Sequence, residues 1–171
     1  MVLVTVTNQL PNPKWLSLDE AVTRRERLRQ EGSSLILTNG CFDLLHSGHI
    51  YFLINTAALG DVLWIALNSD ESVRDLKGSS RPIQNEKLRA YNLAALECIS
   101  GIITFKSKRL NEEIQALKPD IYAKAGDYSL ETIDKEERGA LEAAGTKIVF
   151  IPYLEGYSTT ELINKINHQT D

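Results

Sequence analysis

Apolar residues in this chain fall into short unbroken runs, separated by longer stretches where they recur at helical spacing. The runs are Leu35-Ile-Leu-Thr38, Val62-Leu-Trp-Ile-Ala-Leu67, Gly101-Ile-Ile-Thr-Phe105, Asp120-Ile-Tyr-Ala123 and Lys147-Ile-Val-Phe-Ile151. Each has the length of a strand buried on both faces. Ser17-Leu-Asp-Glu20 has the spacing of a capping box and opens a helix to about Gln30. Further helices are expected over 49–59 with Gly60 as stop signal, from Asn68-Ser-Asp70 onward, and over 85–97 and 110–117. Two more are expected over 135–144, with Gly145 just past the end, and over 158–166. The alternation predicts an α/β fold, a Rossmann-like doubly wound parallel five-stranded sheet with helices on both faces. Residues 1–16, interrupted by Pro11 and Pro13, read as an irregular N-terminal lead-in, and 17–171 as a single domain. Such sheets bind ligands outside the carboxyl ends of their strands. The loops beginning at Thr38, Asn68, Ala123 and Pro152 are therefore expected to carry function.

Composition narrows the chemistry. With 19 Lys and Arg against 23 Asp and Glu, the net charge of −4 argues against a nucleic-acid-binding surface. An acidic protein can still take an anionic substrate if its cations gather in one cleft. No apolar run approaches the roughly 20 residues that span a bilayer, so no membrane contact is expected. The stretch Met1-Val-Leu-Val-Thr-Val-Thr7 is short and lacks a basic region before it, unlike a signal peptide, so the expected location is cytoplasmic. Cys41 and Cys98 are too few and too far apart for a disulfide framework and read as reduced thiols.

The first loop, Thr38-Asn-Gly-Cys-Phe-Asp-Leu-Leu-His-Ser-Gly-His49, carries most of the chemistry. It places two imidazoles, His46 and His49, three residues apart where a strand-end loop enters a helix. A helix start offers free N–H groups and partial positive charge, which favours phosphate. Gly48 allows close approach of the backbone, and Gly40 is expected to make the turn after the strand. The competing reading is zinc on Cys41, His46 and His49. Structural zinc takes four protein ligands, and Cys98 lies in an apolar helical stretch far along the chain, so no metal-binding residues are expected.

With its H-x-G-H, the segment resembles the signature of the cytidylyltransferase-like nucleotidyltransferases, whose H-x-G-H loop binds a nucleoside triphosphate. From about Leu35 to Ile166 the chain is similar to the heptose-1-phosphate adenylyltransferases of lipopolysaccharide-core synthesis, and more distantly to glycerol-3-phosphate cytidylyltransferase. Four further motifs carry the resemblance. In Asn68-Ser-Asp-Glu-Ser-Val-Arg-Asp-Leu-Lys77-Gly-Ser-Ser-Arg-Pro82, the resemblance implies that Lys77 reaches the α-phosphate. Glu86-Lys-Leu-Arg-Ala-Tyr-Asn-Leu93 puts Arg89 at the position of a phosphate-binding arginine. Lys124-Ala-Gly-Asp-Tyr128 matches a K-G-G-D-Y stretch that lies against the nucleoside, with Ala125 departing from the usual glycine. Glu155-Gly-Tyr-Ser-Thr-Thr-Glu161 places Ser158 and Thr159 at a helix start that also has capping-box spacing.

The resemblance thus implies transfer of AMP from ATP to a sugar 1-phosphate, with pyrophosphate released and Mg²⁺ bridging phosphate oxygens. His46, His49 and Lys77 are the expected catalytic residues. Asn39, Gly40, Cys41, Phe42, His46, His49, Arg89, Lys124, Gly126, Asp127, Tyr128, Ser158 and Thr159 are expected to bind the nucleotide, and Asp43 and Arg81 the acceptor. The expected partners are ATP, a phosphorylated sugar and a second copy of the chain, since the resembling enzymes are commonly dimers. Two alternatives stay open: a cytidylyltransferase acting on glycerol 3-phosphate or a similar polyol, and a non-catalytic nucleotide sensor. After Tyr128 the chain runs Ser129-Leu-Glu-Thr-Ile-Asp-Lys-Glu-Glu-Arg138, more charged than the resembling enzymes, and this stretch follows a strand-end loop where an acceptor would sit.

Overall fold

A computed structural model describes residues 10, 12–126, 129, 131–152, 154 and 156–167. The strands are β1 (Trp15–Leu16), β2 (Leu35–Gly40), β3 (Val62–Asn68), β4 (Gly101–Phe105), β5 (Ile121–Ala125) and β6 (Lys147–Ile151). The helices among the described residues are α1 (Leu18–Gln30), α2 (Ser47–Ala57), α3 (Asp70–Lys77), α4 (Glu86–Ala94), α5 (Asn111–Leu117), α6 (Lys135–Ala143) and α7 (Thr159–Asn167). All strand pairs are parallel, in the order β1-β4-β3-β2-β5-β6.

Why the strand runs are apolar throughout is visible in the core, which divides into two clusters. Leu35, Leu37, Trp64, Ala66, Ile103 and Phe105 point to one face, where α1, α5 and α6 supply Ala21, Ile114, Leu117 and Leu141. Their chain neighbours Ile36, Leu63, Ile65, Leu67 and Ile102 point to the other, where α2 and α4 supply Phe52, Leu53, Ala90 and Leu93. Successive strand residues face opposite ways, so a strand with helices on both sides has no polar face to alternate.

The sheet has six strands, not the expected five. The sixth is β1, inside the segment read as an irregular lead-in. Trp15 and Leu16 lie beside Ile102 and Ile103 of β4. Leu16 is 5% exposed, and the Trp15 indole N–H donates to Thr104 Oγ1 at 2.9 Å. Two residues are too short to produce a periodicity, and β4 supplies what defines them. Ser17 then caps α1 as the spacing predicts: its Oγ accepts from Glu20 N, and the Glu20 carboxylate accepts from Ser17 N at 2.8 Å.

The chain leaves β2 for β3 and β4 on one side and returns to β5 and β6 on the other. That reversal between β2 and β5 is the topological switch point at which such sheets open a crevice.

Candidate functional site

At the carboxyl ends of the strands lies a cleft of about 1070 Å³. Its wall includes Asn39, Gly40, Cys41, Phe42 and Asp43 from the end of β2, His46, Gly48 and His49 from the start of α2, and Lys77 from the end of α3. Lys124 of β5 and Ser158 and Thr159 at the start of α7 complete the expected set found there. Three expected residues, Arg81, Arg89 and Gly126, do not line it. Asp127 and Tyr128 lie outside the described residues.

The loop after β2 shapes the site. The turn falls at Phe42, whose φ is 46°, rather than at Gly40, which is the last residue of β2. Gly40 is needed for space instead: a Cβ there would stand 2.8 Å from Cε2 of the Phe42 ring. Phe42 is buried and packs on His49, with ring centroids 5.3 Å apart. Gly48 gives room on two sides, since a Cβ would lie 3.0 Å from the His46 ring and 3.1 Å from Tyr157 Cβ.

α2 begins at Ser47, two residues earlier than expected, with His46 as its N-cap. The His46 side chain makes no capping hydrogen bond. The first N–H groups of a helix have no partner within the helix, and among the described residues those of Ser47, Gly48 and His49 have no acceptor outside it. The two imidazoles stack with centroids 3.8 Å apart and planes 32° from parallel. Nδ1 of each is buried with no hydrogen-bond partner among the described residues. Burial lowers the pKa of both rings. For His49 it falls to about 4, through burial first and then the nearby positive charges of His46 and Lys77, with the Leu44 backbone opposing. At neutral pH both rings are uncharged donors and acceptors, beside the cation of Lys77.

At the switch point, β2 and β5 are joined through side chains. Asn39 Oδ1 accepts from Lys124 Nζ at 2.8 Å and lies 2.8 Å from the Tyr122 hydroxyl. Tyr122 also hydrogen-bonds Glu137 of α6, whose carboxylate pairs with Lys124 at 3.2 Å. The charge of Lys124 is therefore partly neutralised, whereas Lys77 has no ion pair among the described residues. On α7, Ser158 Oγ accepts from Glu161 N at 3.1 Å, as a capping residue does.

Arg81 and Arg89 lie outside the lining and brace Asp43 and the β2 loop within it. Asp43, 2% exposed, pairs with Arg81 at 2.7 Å and accepts from the Ile83 and Gln84 amides. Burial by itself raises the Asp43 carboxyl, but the Arg81 hydrogen bond and the Gln84 and Ile83 amides outweigh it and hold the pKa below the usual range. Arg89 is fully buried. It donates to the Gln84 carbonyl at 2.9 Å, the Cys41 carbonyl at 2.6 Å and Asp70 Oδ1 at 2.8 Å. Placed so, it ties the β2 loop to α3 and the start of α4 instead of presenting its fork to the cleft.

The loop after β4 carries no motif, yet it reaches the cleft. Lys108 and Arg109 line the cleft, and Arg109 pairs with Asp134, the N-cap of α6, at 2.9 Å. The signal was available, because the carboxyl end of β4 belongs to the same sheet edge as the four loops singled out. Glu137 was hidden in a charged helical stretch with nothing local to mark it as inward-facing.

Residues 37–165 match the family model described as cytidylyltransferase-like. The chain is 43% identical over 164 residues to the bifunctional protein HldE of Helicobacter pylori (strain J99 / ATCC 700824), an alignment covering 96% of this chain and 33% of that protein. It is 42% identical over 158 residues to the bifunctional protein HldE of Syntrophotalea carbinolica, covering 88% of this chain and 32% of the relative. The chain thus spans about a third of the length of these relatives. Its fold is similar to the lipopolysaccharide core biosynthesis protein from Thermoplasma volcanium GSS1, with a TM-score of 0.60, 24% identity, and coverage of 74% of this chain and 100% of that one. Pantoate-beta-alanine ligase from Francisella tularensis, solved with beta-gamma ATP and beta-alanine, gives a TM-score of 0.55 at 13% identity, covering 90% of this chain and 77% of the other. At these identities the likeness to both structures is one of fold. The family match runs from within β2 into α7 and takes in the whole His46–His49 loop, so the chain belongs to the cytidylyltransferase-like family.

Proposed function

We propose that this chain transfers AMP from ATP to a sugar 1-phosphate, with D-glycero-β-D-manno-heptose 1-phosphate the first choice, and releases pyrophosphate. The observation that carries the reading is the stacked, uncharged His46–His49 pair at a helix start without a side-chain cap, sharing a cleft with Lys77 and the start of α7. Family membership and the 43% identity to HldE along nearly the whole chain support it.

In this reading an acceptor phosphate oxygen attacks the α-phosphorus, the bond from the α-phosphorus to the bridging oxygen breaks, and pyrophosphate leaves. The nucleophile is already an anion, so no general base is needed. Catalysis rests on positioning and on charge stabilisation. His46, His49 and the first N–H groups of α2 donate to the departing phosphates, and Ser158 and Thr159 do so from the opposite helix. Lys77 follows the negative charge at the α-phosphate. Asn39 and Lys124 hold the nucleoside side of the cleft, with Gly40, Cys41, Phe42 and Gly126 as backbone around it and Asp127 and Tyr128 as further nucleoside contacts. Arg89 and Arg81 position these groups from behind, and Asp43, part of the wall itself, holds Arg81 in place. Magnesium, when bound, would neutralise charge on the nucleotide's phosphates. Asp43, Asp134 and Glu137 are engaged by Arg81, Arg109 and Lys124, which leaves Glu161 as the one unengaged carboxylate lining the cleft among the described residues, a donor set that fits a metal held mainly by phosphate oxygens and water.

Incubation with ATP, Mg²⁺ and a panel of sugar 1-phosphates, with glycerol 3-phosphate included, tests the proposal by pyrophosphate release. Turnover of the heptose phosphate supports it. Turnover of glycerol 3-phosphate alone overturns the acceptor, and nucleotide binding without any turnover points to a sensor. A cytoplasmic location and a homodimer complete the proposal.

A further inference from the structure

Two phosphorylated substrates must meet in one cleft, and their charges repel unless each has its own cations. In the proposed reaction His46, His49, Lys77, Lys124, Ser158 and Thr159 serve the nucleotide. The cleft's other cations are Lys108 and Arg109, on the loop between β4 and α5. Resting on the nucleotidyl-transfer reading, we propose that Lys108 and Arg109 form the subsite for the acceptor's phosphomonoester, with Arg109 exchanging Asp134 for the incoming phosphate.

Several observations place this subsite. The loop is pinned and not loose: Ser72 Oγ donates to the Ser107 carbonyl at 3.3 Å and accepts from Asn68 Nδ2 at 3.0 Å, and Ser107 Oγ donates to the Arg109 carbonyl. Its basic side chains therefore project from a fixed base. Arg109 and Asp134 are 45% and 29% exposed in their side chains. An ion pair so open to water holds its partners weakly, whereas a guanidinium gives phosphate a bidentate, charge-assisted contact. Lys108 has no ion pair among the described residues and adds charge beside it. The exchange also joins the two halves of this wall. Asp134 caps α6 by accepting from the Glu136 and Glu137 amides, and Thr132 and Ile133 beside it line the same cleft. That is the charged stretch after Tyr128 that sets this chain apart from the enzymes it resembles.

The test is steady-state kinetics on the full chain with ATP, Mg²⁺ and whichever sugar 1-phosphate the acceptor panel shows to turn over. Arg109→Ala should raise the acceptor KM about 10- to 100-fold, the value of a lost charge-assisted contact, and leave the ATP KM within twofold. Arg109→Lys should recover part of that loss. Asp134→Asn keeps the helix cap, since Asn caps as well as Asp, but removes the competing charge. It should lower the acceptor KM, by up to about 5-fold for a surface pair. A purely structural salt bridge predicts instead that Arg109→Ala and Asp134→Asn act alike. If both shift the acceptor KM in the same direction, or neither shifts it, the subsite is wrong while the transferase reading stands. If no phosphorylated acceptor gives pyrophosphate with the unaltered chain, both fall together.

Discussion

Two imidazoles with centroids 3.8 Å apart disfavour each other's protonation, and their burial works in the same direction. The free site thus holds neutral rings that can donate to a phosphate through N–H without competing with Lys77 for charge. His46→Ala and His49→Ala should each lower turnover by about 10²–10³, or roughly 3–4 kcal/mol, the effect of removing one preorganised donor. Circular dichroism should meanwhile show the fold unchanged. Lys77→Ala should lower kcat more than it raises the ATP KM, because a contact made chiefly in the transition state acts on kcat. A raised KM with kcat intact would give Lys77 a ground-state role instead. The His49 pKa also makes a stability prediction. Its folded value of about 4 lies below the ordinary 6.5, so the unfolded chain binds the extra proton first as pH falls. Stability contributed by the neutral ring is complete above about 6.5 and is lost between there and 4. Urea midpoints at pH 7.5 and pH 5 should therefore fall further for the unaltered chain than for His49→Gln.

The elements reach the site through buried polar connections as much as through the apolar core. Arg89 joins the β2 loop, the Asp70 end of α3 and the segment entering α4, with its guanidinium shielded from water. Arg89→Met leaves Asp70 and the Gln84 and Cys41 carbonyls without their donor; because Asp70 is 26% exposed, the loss should be about 2–3 kcal/mol, below that for a fully buried pair. A melt of the variant checks this, and a small change with a large rise in the ATP KM would return Arg89 to direct phosphate contact. The motif around Arg89 marks it as special, and in the fold its guanidinium meets Asp70 and two carbonyls. A sequence marks an arginine in a helix without revealing which side its fork faces. β1 makes a similar point. Leu16→Ala should cost about 2–4 kcal/mol as a buried large-to-small change, although nothing in residues 10–16 has strand periodicity. The capping boxes behave differently. Ser17 and Glu20 were legible because both partners lie within one helical turn, and Ser158 with Glu161 has the same local spacing.

For the protein as a whole, the central question is which nucleotide the cleft selects. ATP is expected over CTP, and isothermal titration with each compares them directly. A clear preference for CTP would reassign the chain to the cytidylyl branch of its family. Charge distribution matters at this level too. The chain is acidic at −4, yet of the four carboxylates lining the cleft among the described residues, Asp43, Asp134, Glu137 and Glu161, the first three are each engaged by a cation. Lys77 and Lys108 remain without an ion pair among the described residues and outnumber Glu161, so the cleft attracts anions although the protein as a whole repels them.

What the sequence determined by itself was local or periodic. Five of the six strands, the helices and the His46–His49 loop all follow from the alternation of apolar runs, capping pairs and motif spacing within a few residues. The tertiary structure alone decided what depends on neighbours distant in the chain. It set β1 against β4, turned Arg89 inward, drew Glu137 to Lys124 and Tyr122, and brought Arg109 to Asp134. Such contacts form only after the strands have been ordered β1-β4-β3-β2-β5-β6. An ion pair across 25 residues, from Arg109 to Asp134, leaves no pattern in either segment, because each charge taken singly is what any solvated loop or helix start also carries.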